Sequence, residues 1–404
     1  MRSVLISGAG IAGPALAYWL GRAGYRPTVV EIAAAPRRGG SAVDFRGGHL
    51  TVLERMGVLD ALREVQTGGS PMRFVDADGR RLMELPGDFA GGEVEVLRGD
   101  LARVLYEHSR PHAEYVFGDT VTTLTQTPDG VDATFAHGPA RTFDLVIGAD
   151  GVRSTVRRLA YGPHGRYVSH QGYHVASWEV PGFSGLGRGS LLYNEPGRMI
   201  SVGGDHRDPD RAYAFAVFAS PSIDHPRRDL DRQRAIITAA LDGVGWQASR
   251  LLATLPQASD LYFDAICRVD VTPWSHGRIA LLGDAACGAT IGGMGAGTAI
   301  VGAYVLAGEL AAAGGDHTVA FGRYEALLGD YARRGQQGGE NTGKFLAPRR
   351  AWTARARNAL LNRPYFMNLL LKAADDRTNA LDLPDYPALR DGQPHGTRGG
   401  HPAG

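Results

Sequence analysis

A chain of 404 residues is too long for one simple core and suits two interleaved domains. Its composition, 44% hydrophobic and 21% charged, is that of a globular protein, and a net charge of +1 gives no reason to expect nucleic acid or a membrane as a partner. Cys267 and Cys287 form no CxxC or Cys/His pattern, so we expect no metal site, no disulfide framework and a cytoplasmic location.

The N-terminal stretch predicts a strand, a helix and a second strand within about 30 residues, the size of one mononucleotide-binding unit. Val4-Leu5-Ile6 is a short apolar run typical of a strand buried on both faces. It starts almost at once, which argues against a signal peptide. Residues 14–23 predict the helix, which Gly24 ends, and residues 28–31 predict the second strand.

A glycine motif, Gly8-x-Gly10-x-x-Gly13, joins the first strand to the helix. Gly8 permits a tight turn, Gly10 lets a pyrophosphate approach the backbone, and Gly13 lets helix and strand pack closely. Glu31 ends the second strand, near the spacing at which a carboxylate binds a ribose hydroxyl. This context favours nucleotide binding over a glycine-rich turn that binds nothing.

The middle of the chain predicts a change from one domain to another. Residues 47–66 and the stretch from Arg98 read as helices, and hairpins are expected around Asp78-Gly79 and Pro128-Asp129-Gly130. The segments 172–180, 190–202 and 211–219 alternate apolar and polar residues, as in an antiparallel sheet with one covered face. Residues 277–283 then predict another buried strand, and 296–314 and 347–375 predict helices.

The predicted fold class is therefore α/β, a Rossmann-like nucleotide-binding domain with an inserted antiparallel-sheet substrate domain and a helical C-terminal segment. We assign residues 1–71, 97–168 and 271–345 to the first domain and residues 72–96 and 169–270 to the second. Residues 346–383 form the helical segment, expected to pack on the first domain. Residues 384–404 are expected to form a flexible tail because they are rich in Gly, Pro and His.

Two further segments indicate which nucleotide the chain binds. One is Asp150-Gly151 with Arg153 and Ser154, directly after the apolar run 145–147; the other is Gly283-Asp284-Ala285-Ala286. With the first glycine motif, these resemble in order and spacing the class A FAD-dependent aromatic monooxygenases, the p-hydroxybenzoate hydroxylase-like group, over roughly residues 1–345. Within that group the chain looks most like enzymes that modify tetracyclines and other polyketides.

The resemblance implies a bound FAD, transient NAD(P)H and O₂ as co-substrate. It implies that Asp284 binds the flavin ribityl chain and that the helix start after Gly293 faces the flavin pyrimidine edge. The cofactor-binding residues carried over from it, or placed by the first motif, are Gly8, Gly10, Ala12, Gly13, Glu31, Arg38, Arg46, Arg98, Asp150, Arg153, Asp284, Gly293, Met294, Gly295 and Ala296. Each has a structural alternative; Asp284, for example, could simply cap the following helix.

The chain departs from the family pattern in the loop that follows Asp284. The segment 287–292 lacks the prolines usual in the family and is one residue shorter than the family's segment. Gly297 stands where many members have Asn, and Gly302 stands where many have Asp. We expect the loop to be reshaped and more flexible than in the family.

The resemblance implies a monooxygenase that hydroxylates or epoxidises a polycyclic aromatic or polyketide-like secondary metabolite or antibiotic through a flavin C4a-hydroperoxide. The altered loop keeps open an FAD-containing non-redox tailoring enzyme such as a cyclase, and a drug-sequestering protein is a third alternative. The expected assembly is a monomer or homodimer.

The substrate pocket is expected between the flavin and the antiparallel sheet. His170, His174 and Tyr193 are the candidate catalytic residues, because a His or Tyr can deprotonate a phenol. The candidate lining residues are Tyr173, His174, Trp178, Tyr193, Met199, Phe215 and Phe218. Aromatic residues at this alternating spacing are also common in ordinary sheet cores.

Overall fold

The structure is a computed structural model. It describes residues 1–36, 42–87, 92–181, 183, 186–187, 189–204, 208, 211–223, 229–258, 261–291, 295–378 and 382–390, with the side chains of 338–340, 371 and 373–378 excepted.

Eighteen strands are found in the described residues. They are β1 Ser3–Ser7, β2 Arg26–Glu31, β3 Ala42–Phe45, β4 Met72–Val75, β5 Arg81–Leu85, β6 Val94–Leu97, β7 Glu114–Phe117, β8 Val121–Gln126, β9 Val131–Phe135, β10 Arg141–Phe143, β11 Leu145–Gly148, β12 Val168–Pro181, β13 Ser190–Glu195, β14 Arg198–Gly204, β15 Arg211–Ala219, β16 Tyr262–Val269, β17 Ser275–His276 and β18 Ile279–Leu281.

Thirteen α-helices are found in the same part of the chain. They are α1 Ala12–Arg22, α2 Gly48–Met56, α3 Leu59–Glu64, α4 Arg98–Ser109, α5 Thr155–Ala160, α6 Leu230–Leu241, α7 Ala248–Leu252, α8 Asp284–Cys287, α9 Gly295–Ala312, α10 His317–Leu346, α11 Ala351–Leu361, α12 Pro364–Thr378 and α13 Pro387–Arg390.

The nucleotide-binding domain is built on a six-stranded sheet with the order β17-β18-β11-β1-β2-β7. All neighbours pair in parallel except β17 and β18. Its central strands are fully buried, as the apolar runs predict. The carboxyl ends of the parallel strands β1, β11 and β18 lie at one edge of the sheet, so the three predicted motifs that follow them meet there, beside Glu31 at the end of β2.

The inserted domain is a seven-stranded sheet with the order β16-β12-β15-β14-β13-β4-β5, antiparallel except for the pair β13 and β4. This architecture confirms the predicted fold class. The expected boundary at residue 96 is too late, because β6 pairs with β3 and leaves the seven-stranded sheet after β5. Helices α6 and α7 were not predicted; they cover one face of the sheet through Ile237, Leu241 and Leu251.

The C-terminal segment packs differently from the expectation. Helices α11 and α12 lie on the seven-stranded sheet rather than on the first domain, with Leu361 buried among its residues. The prediction of a flexible tail from residue 384 is wrong for residues 384–390, because Tyr386 and Leu389 are buried in the first domain's core. Arg22 fixes α13 there by donating from Nε to the Leu389 carbonyl at 3.0 Å.

Candidate functional site

The glycine turn after β1 has the geometry of a phosphate cradle. Gly8 has φ +107°, and a Cβ on Gly13 would lie 1.9 Å from the Gly8 carbonyl oxygen, so neither position accepts a larger residue at this backbone spacing. A Cβ on Gly10, in contrast, would meet nothing within 4 Å. The open side at Gly10, directly before Ala12 begins α1, leaves room for a pyrophosphate at the helix N-terminus.

Glu31 lies beside this turn at the end of β2. Its carboxylate accepts hydrogen bonds from the Ala9 amide at 2.8 Å and from the Ala33 amide at 3.0 Å. Each carboxylate oxygen can accept a second hydrogen bond, which a ribose hydroxyl could donate.

Asp150 of the second motif is held by the protein's own groups. It accepts hydrogen bonds from the Thr155 amide at 2.7 Å, the Val156 amide at 3.1 Å and the Ser154 and Ser7 hydroxyls. Burial raises its pKa and these donors lower it. Asp150 therefore accepts from the first two amides of α5, whose N-cap is Ser154, and joins the helix to β1.

The arginines of the second motif have roles that the sequence did not reveal. Arg153 forms an ion pair with Asp264 of β16 at 2.8 Å, so it links the motif to the seven-stranded sheet instead of projecting into open space. Arg157, which sequence analysis missed, is fully buried and donates from Nη1 to the Ala285 carbonyl at 2.8 Å. It therefore fixes the second motif against the third, and its only sequence signal is its position three residues after Ser154.

Asp284 of the third motif begins α8 and has no hydrogen-bond donor among the described residues. Burial raises the pKa of its carboxyl, while the nearby Arg98 lowers it. A Cβ on Gly295, the first residue of α9, would lie 3.1 Å from Asp284 Oδ1. A half-buried carboxylate without a donor among the described residues fits a polyhydroxyl chain such as the ribityl of FAD.

The remaining predicted cofactor-binding residues show no geometry that points to a particular part of the cofactor. Arg46 is buried and pairs through Nε with Asp44 at 3.2 Å. Ala296 lies partly buried in the first turn of α9, and Arg98 is exposed at the start of α4. Arg38, Gly293 and Met294 lie outside the described residues.

His49 is a second residue that sequence analysis missed. It is buried on α2, its Nε2 lies 2.5 Å from the Tyr331 hydroxyl, and burial, with the nearby Arg46 charge, lowers its pKa to about 4. A Cβ on Gly297 would lie 2.2 Å from the ring. The His49 ring therefore leaves no room for a side chain at position 297.

The greater flexibility expected of the loop after Asp284 stays a prediction, and in the structure residues 288–290 are hydrogen-bonded to β16. The Val269 amide donates to the Gly288 carbonyl at 2.9 Å, and the Thr290 amide donates to the Cys267 carbonyl at 3.1 Å. The Thr290 hydroxyl also accepts from the Cys267 amide at 2.9 Å and donates to the Ala265 carbonyl at 3.0 Å. The loop is thus fixed to the edge strand of the seven-stranded sheet, a pairing that local sequence cannot reveal.

The candidate catalytic residues do not converge on the motifs. His174 is fully buried between the rings of Phe218 and Phe263, on the sheet face that α6 and α7 cover. His170 lies beside it, with ring centroids 5.1 Å apart and Nε2 3.0 Å from the Ser220 carbonyl oxygen.

Tyr193 packs on the same face, against Trp246 and Glu195. Side chains alternate across a strand, and the assignment from residue type alone did not resolve which face each side chain takes.

The opposite face of the sheet lies toward the third motif. Tyr173, Met199 and Phe215 belong to it, and Ile291, from the loop that follows Asp284, packs against the same cluster. Trp178 and Phe218 lie on the face that α6 and α7 cover, away from the third motif.

In the described part of the chain, no group of three or more His, Cys, Asp or Glu residues could hold a metal ion. Gly295–Ala312 is the one helix there that is long and apolar enough to cross a membrane, and 72% of it is buried inside the protein, as in a core helix.

Comparisons with known proteins agree with this geometry. Residues 1–334 match the family model described as an FAD binding domain. A flavin-dependent monooxygenase of Legionella longbeachae serogroup 1 (strain NSW150) is 36% identical over 341 residues, 83% of this chain and 87% of the relative.

Two solved structures are similar along almost the whole chain. The crystal structure of the tetracycline destructase Tet(55) has a TM-score of 0.83 and 35% identity, and covers 96% of this chain and 99% of that one. The crystal structure of the tetracycline destructase Tet(51) has a TM-score of 0.84 and 30% identity, and covers 96% and 100%.

Proposed function

The chain belongs to the FAD-binding family that includes the flavin-dependent monooxygenases, and we propose that it uses NAD(P)H and O₂ to hydroxylate or epoxidise a polycyclic, polyketide-like substrate. FAD, when bound, supplies hydride acceptance and oxygen activation. The protein's own part is to hold the cofactor, exclude water and place the substrate.

The cofactor site follows from the three motifs. We assign the pyrophosphate to the open side of Gly10 at the start of α1, and the adenosine ribose to Glu31. We assign the ribityl chain to Asp284, because the Asp284 carboxylate has no hydrogen-bond donor among the described residues. Three other residues of this region support the cofactor site indirectly, since their contacts fix the motifs to each other and to the sheet. They are Arg153, Arg157 and Asp150.

The substrate site follows from the two faces of the seven-stranded sheet. The face with Tyr173, Met199 and Phe215 meets Ile291, seven residues beyond Asp284, so it adjoins the cofactor site. The face is apolar, which suits a flat, largely apolar substrate. This juxtaposition of an apolar sheet face with the Asp284 loop carries the proposal, and similarity to tetracycline destructases supports the substrate class.

The anaerobic flavin spectrum tests this function. NADH or NADPH is added to the purified protein with and without a tetracycline, and the flavin absorbance is followed. We expect bleaching that the tetracycline accelerates. A flavin that neither nucleotide reduces, with or without the ligand, would overturn the proposal and favour a non-redox role for the cofactor. The variant Arg103→Gln, at an exposed position of α4, is the control and should behave as wild type.

A further inference from the structure

The charges of this chain are unevenly distributed. Residues 341–374 contain seven basic residues and no acidic one, and Asp375 and Asp376 follow in the last turn of α12. The basic residues are Lys344, Arg349, Arg350, Arg355, Arg357, Arg363 and Lys372. The whole chain has 43 basic and 42 acidic residues, so the remainder has 36 and 42, a net charge of −6. The small net charge of the whole chain therefore conceals a strongly basic segment.

One basic residue of this segment points inward and anchors it. Arg357 donates from Nη2 to Asn194 Oδ1 at 2.8 Å, and its guanidinium lies 4.2 Å from the ring centre of Phe74. Burial lowers its pKa to about 10. With the buried Leu361, it holds one side of α11 on the seven-stranded sheet. The other six basic residues are exposed on the surface.

The outer side of α11 and α12 also exposes large apolar side chains. Trp352 is 61% exposed, Leu360 45%, Tyr365 73% and Leu369 55%. Eleven large hydrophobic residues are exposed in the described part of the chain, and these four lie within 18 consecutive positions. Tyr365 and Leu369 are four residues apart and share one side of α12.

The same apolar surface continues onto the edge of the sheet. Leu82 of β5 is 44% exposed, and its carbonyl accepts a hydrogen bond from Asn362 Nδ2 at 2.7 Å, so it lies next to the connection between the two helices. Exposed apolar residues gathered in one place mark an interaction surface more often than scattered ones do.

We propose that α11 and α12 form a docking face for the surface of an anionic lipid bilayer. Helices with Lys and Arg beside exposed Trp, Tyr and Leu bind at the headgroup boundary, where the apolar side chains enter the bilayer and the cations meet lipid phosphates. The sequence-based expectation of no membrane partner rested on the net charge of the whole chain, which this segment does not share.

The charge and the apolar side chains of this face argue against a second copy of the chain or a nucleic acid as its partner. In a symmetric contact between two copies of this chain, the same basic segment would face itself, and like charges would repel. A nucleic acid would match the charge but leave Leu360 and Leu369 without apolar partners. A bilayer with anionic lipid satisfies both properties of the face, and the docking does not depend on the reaction proposed above.

Co-sedimentation of the FAD-loaded protein with lipid vesicles tests the proposal. One set of vesicles contains phosphatidylcholine with phosphatidylglycerol, and the other contains phosphatidylcholine alone. We expect binding to the first set only, and weaker binding as salt is added. The double variant Arg350→Gln with Arg355→Gln should bind about 25-fold more weakly, since each charge contributes about fivefold. Trp352→Ala should also weaken binding several-fold.

Matched changes elsewhere serve as controls. Arg103→Gln with Arg333→Gln removes two exposed helical arginines, and Val319→Ala removes an exposed apolar side chain, all outside the docking face. Both control proteins should bind like wild type, and unchanged flavin content shows that each variant is folded. Failure to bind either vesicle, or unchanged binding by the Arg350/Arg355 variant, would overturn the proposal. So would a dimer in size-exclusion chromatography that Trp352→Ala dissociates, because it would assign the face to a second copy.

Discussion

At the scale of single residues, Asp284 stands apart because the described part of the protein gives its carboxylate no hydrogen-bond donor. Burial raises its pKa, so the charged form is held at a cost to the fold. Asp150 has the opposite character, because four donors of the protein satisfy it. The two motif aspartates therefore differ: Asp150 is satisfied by the protein's own groups, and we propose that Asp284 binds the cofactor.

Asp284→Asn tests this division. We expect the FAD dissociation constant to rise about tenfold to a hundredfold, as for loss of hydrogen bonds to a charged acceptor. The melting temperature of the protein stripped of FAD should stay the same or rise, because a buried carboxylate without a donor is removed. The comparison variant Asp150→Asn should instead lower that melting temperature. Unchanged FAD affinity in Asp284→Asn would contradict the ribityl assignment.

We expect the buried His49 imidazole to lower the free energy of unfolding in acid. Its pKa is about 4 in the folded protein and 6.5 ordinarily, so the unfolded chain takes up the proton first as pH falls. The contribution of His49 to stability is therefore complete above about pH 6.5 and is lost as pH falls toward 4. The loss is about 3 kcal/mol.

Urea unfolding across this pH range measures the effect. His49→Gln should lose less stability than wild type between pH 6.5 and 4. Parallel pH profiles of the two proteins would show that the imidazole does not titrate in this way.

The motif residues could be predicted from the sequence, but their partners in the fold could not. Gly8, Gly13 and Asp284 lie where a local motif prescribes them. His49 and Arg157 could not be found because their partners, Tyr331 and Ala285, lie 282 and 128 positions away in the chain. The face that His174 takes was also undetermined, since it depends on which side of the sheet α6 and α7 cover.

At the scale of elements, the contact between α2 and α9 depends on one glycine. A Cβ at Gly297 would collide with three atoms of the His49 ring. Gly297→Ala should therefore lower the free energy of unfolding by about 1–3 kcal/mol. Gly322→Ala in α10 is the matched control, because a Cβ there meets nothing within 4 Å and the change should stabilise the helix by up to about 1 kcal/mol. Equal effects of the two changes in urea unfolding would refute the close contact.

The loop beyond Asp284 predicts a local effect of a single hydroxyl. Thr290→Val keeps the shape of the side chain but removes the acceptor of the Cys267 amide, which costs about 1–3 kcal/mol if the amide stays buried. Hydrogen exchange should become faster in residues 265–269 and 287–290 and stay unchanged in β1 and β2. Unaltered exchange in the loop would mean that the hydroxyl does not fix it to β16.

Elements were predicted well where the signal was local and poorly where it was not. The βαβ unit at the N-terminus and the alternating strands β12 to β15 are readable from apolar periodicity. Helix α6 buries Ile237 and Leu241 at helical spacing, and it was missed because the whole of residues 169–270 was assigned to the antiparallel-sheet domain. The pairing of β6 with β3 joins segments about 50 residues apart, and no local rule specifies it.

At the scale of the whole molecule, the seven-stranded sheet has two different faces. One is closed by α6 and α7, and the other meets the loop of the third motif and the C-terminal helices. The Arg153–Asp264 ion pair and the Thr290 hydrogen bonds join the sheet to the cofactor motifs. These links fix the sheet relative to the motifs, and the oxygen transfer that we propose would require such a fixed relation.

The most direct test of the central claim is the fate of molecular oxygen. The FAD-loaded protein is supplied with NADPH or NADH and a tetracycline under ¹⁸O₂, and the product is analysed by mass spectrometry. The account predicts a product that carries one ¹⁸O atom and that forms only when the nucleotide is present. A product formed without ¹⁸O, or formed equally well without nucleotide and oxygen, would contradict the assignment of this chain as a monooxygenase.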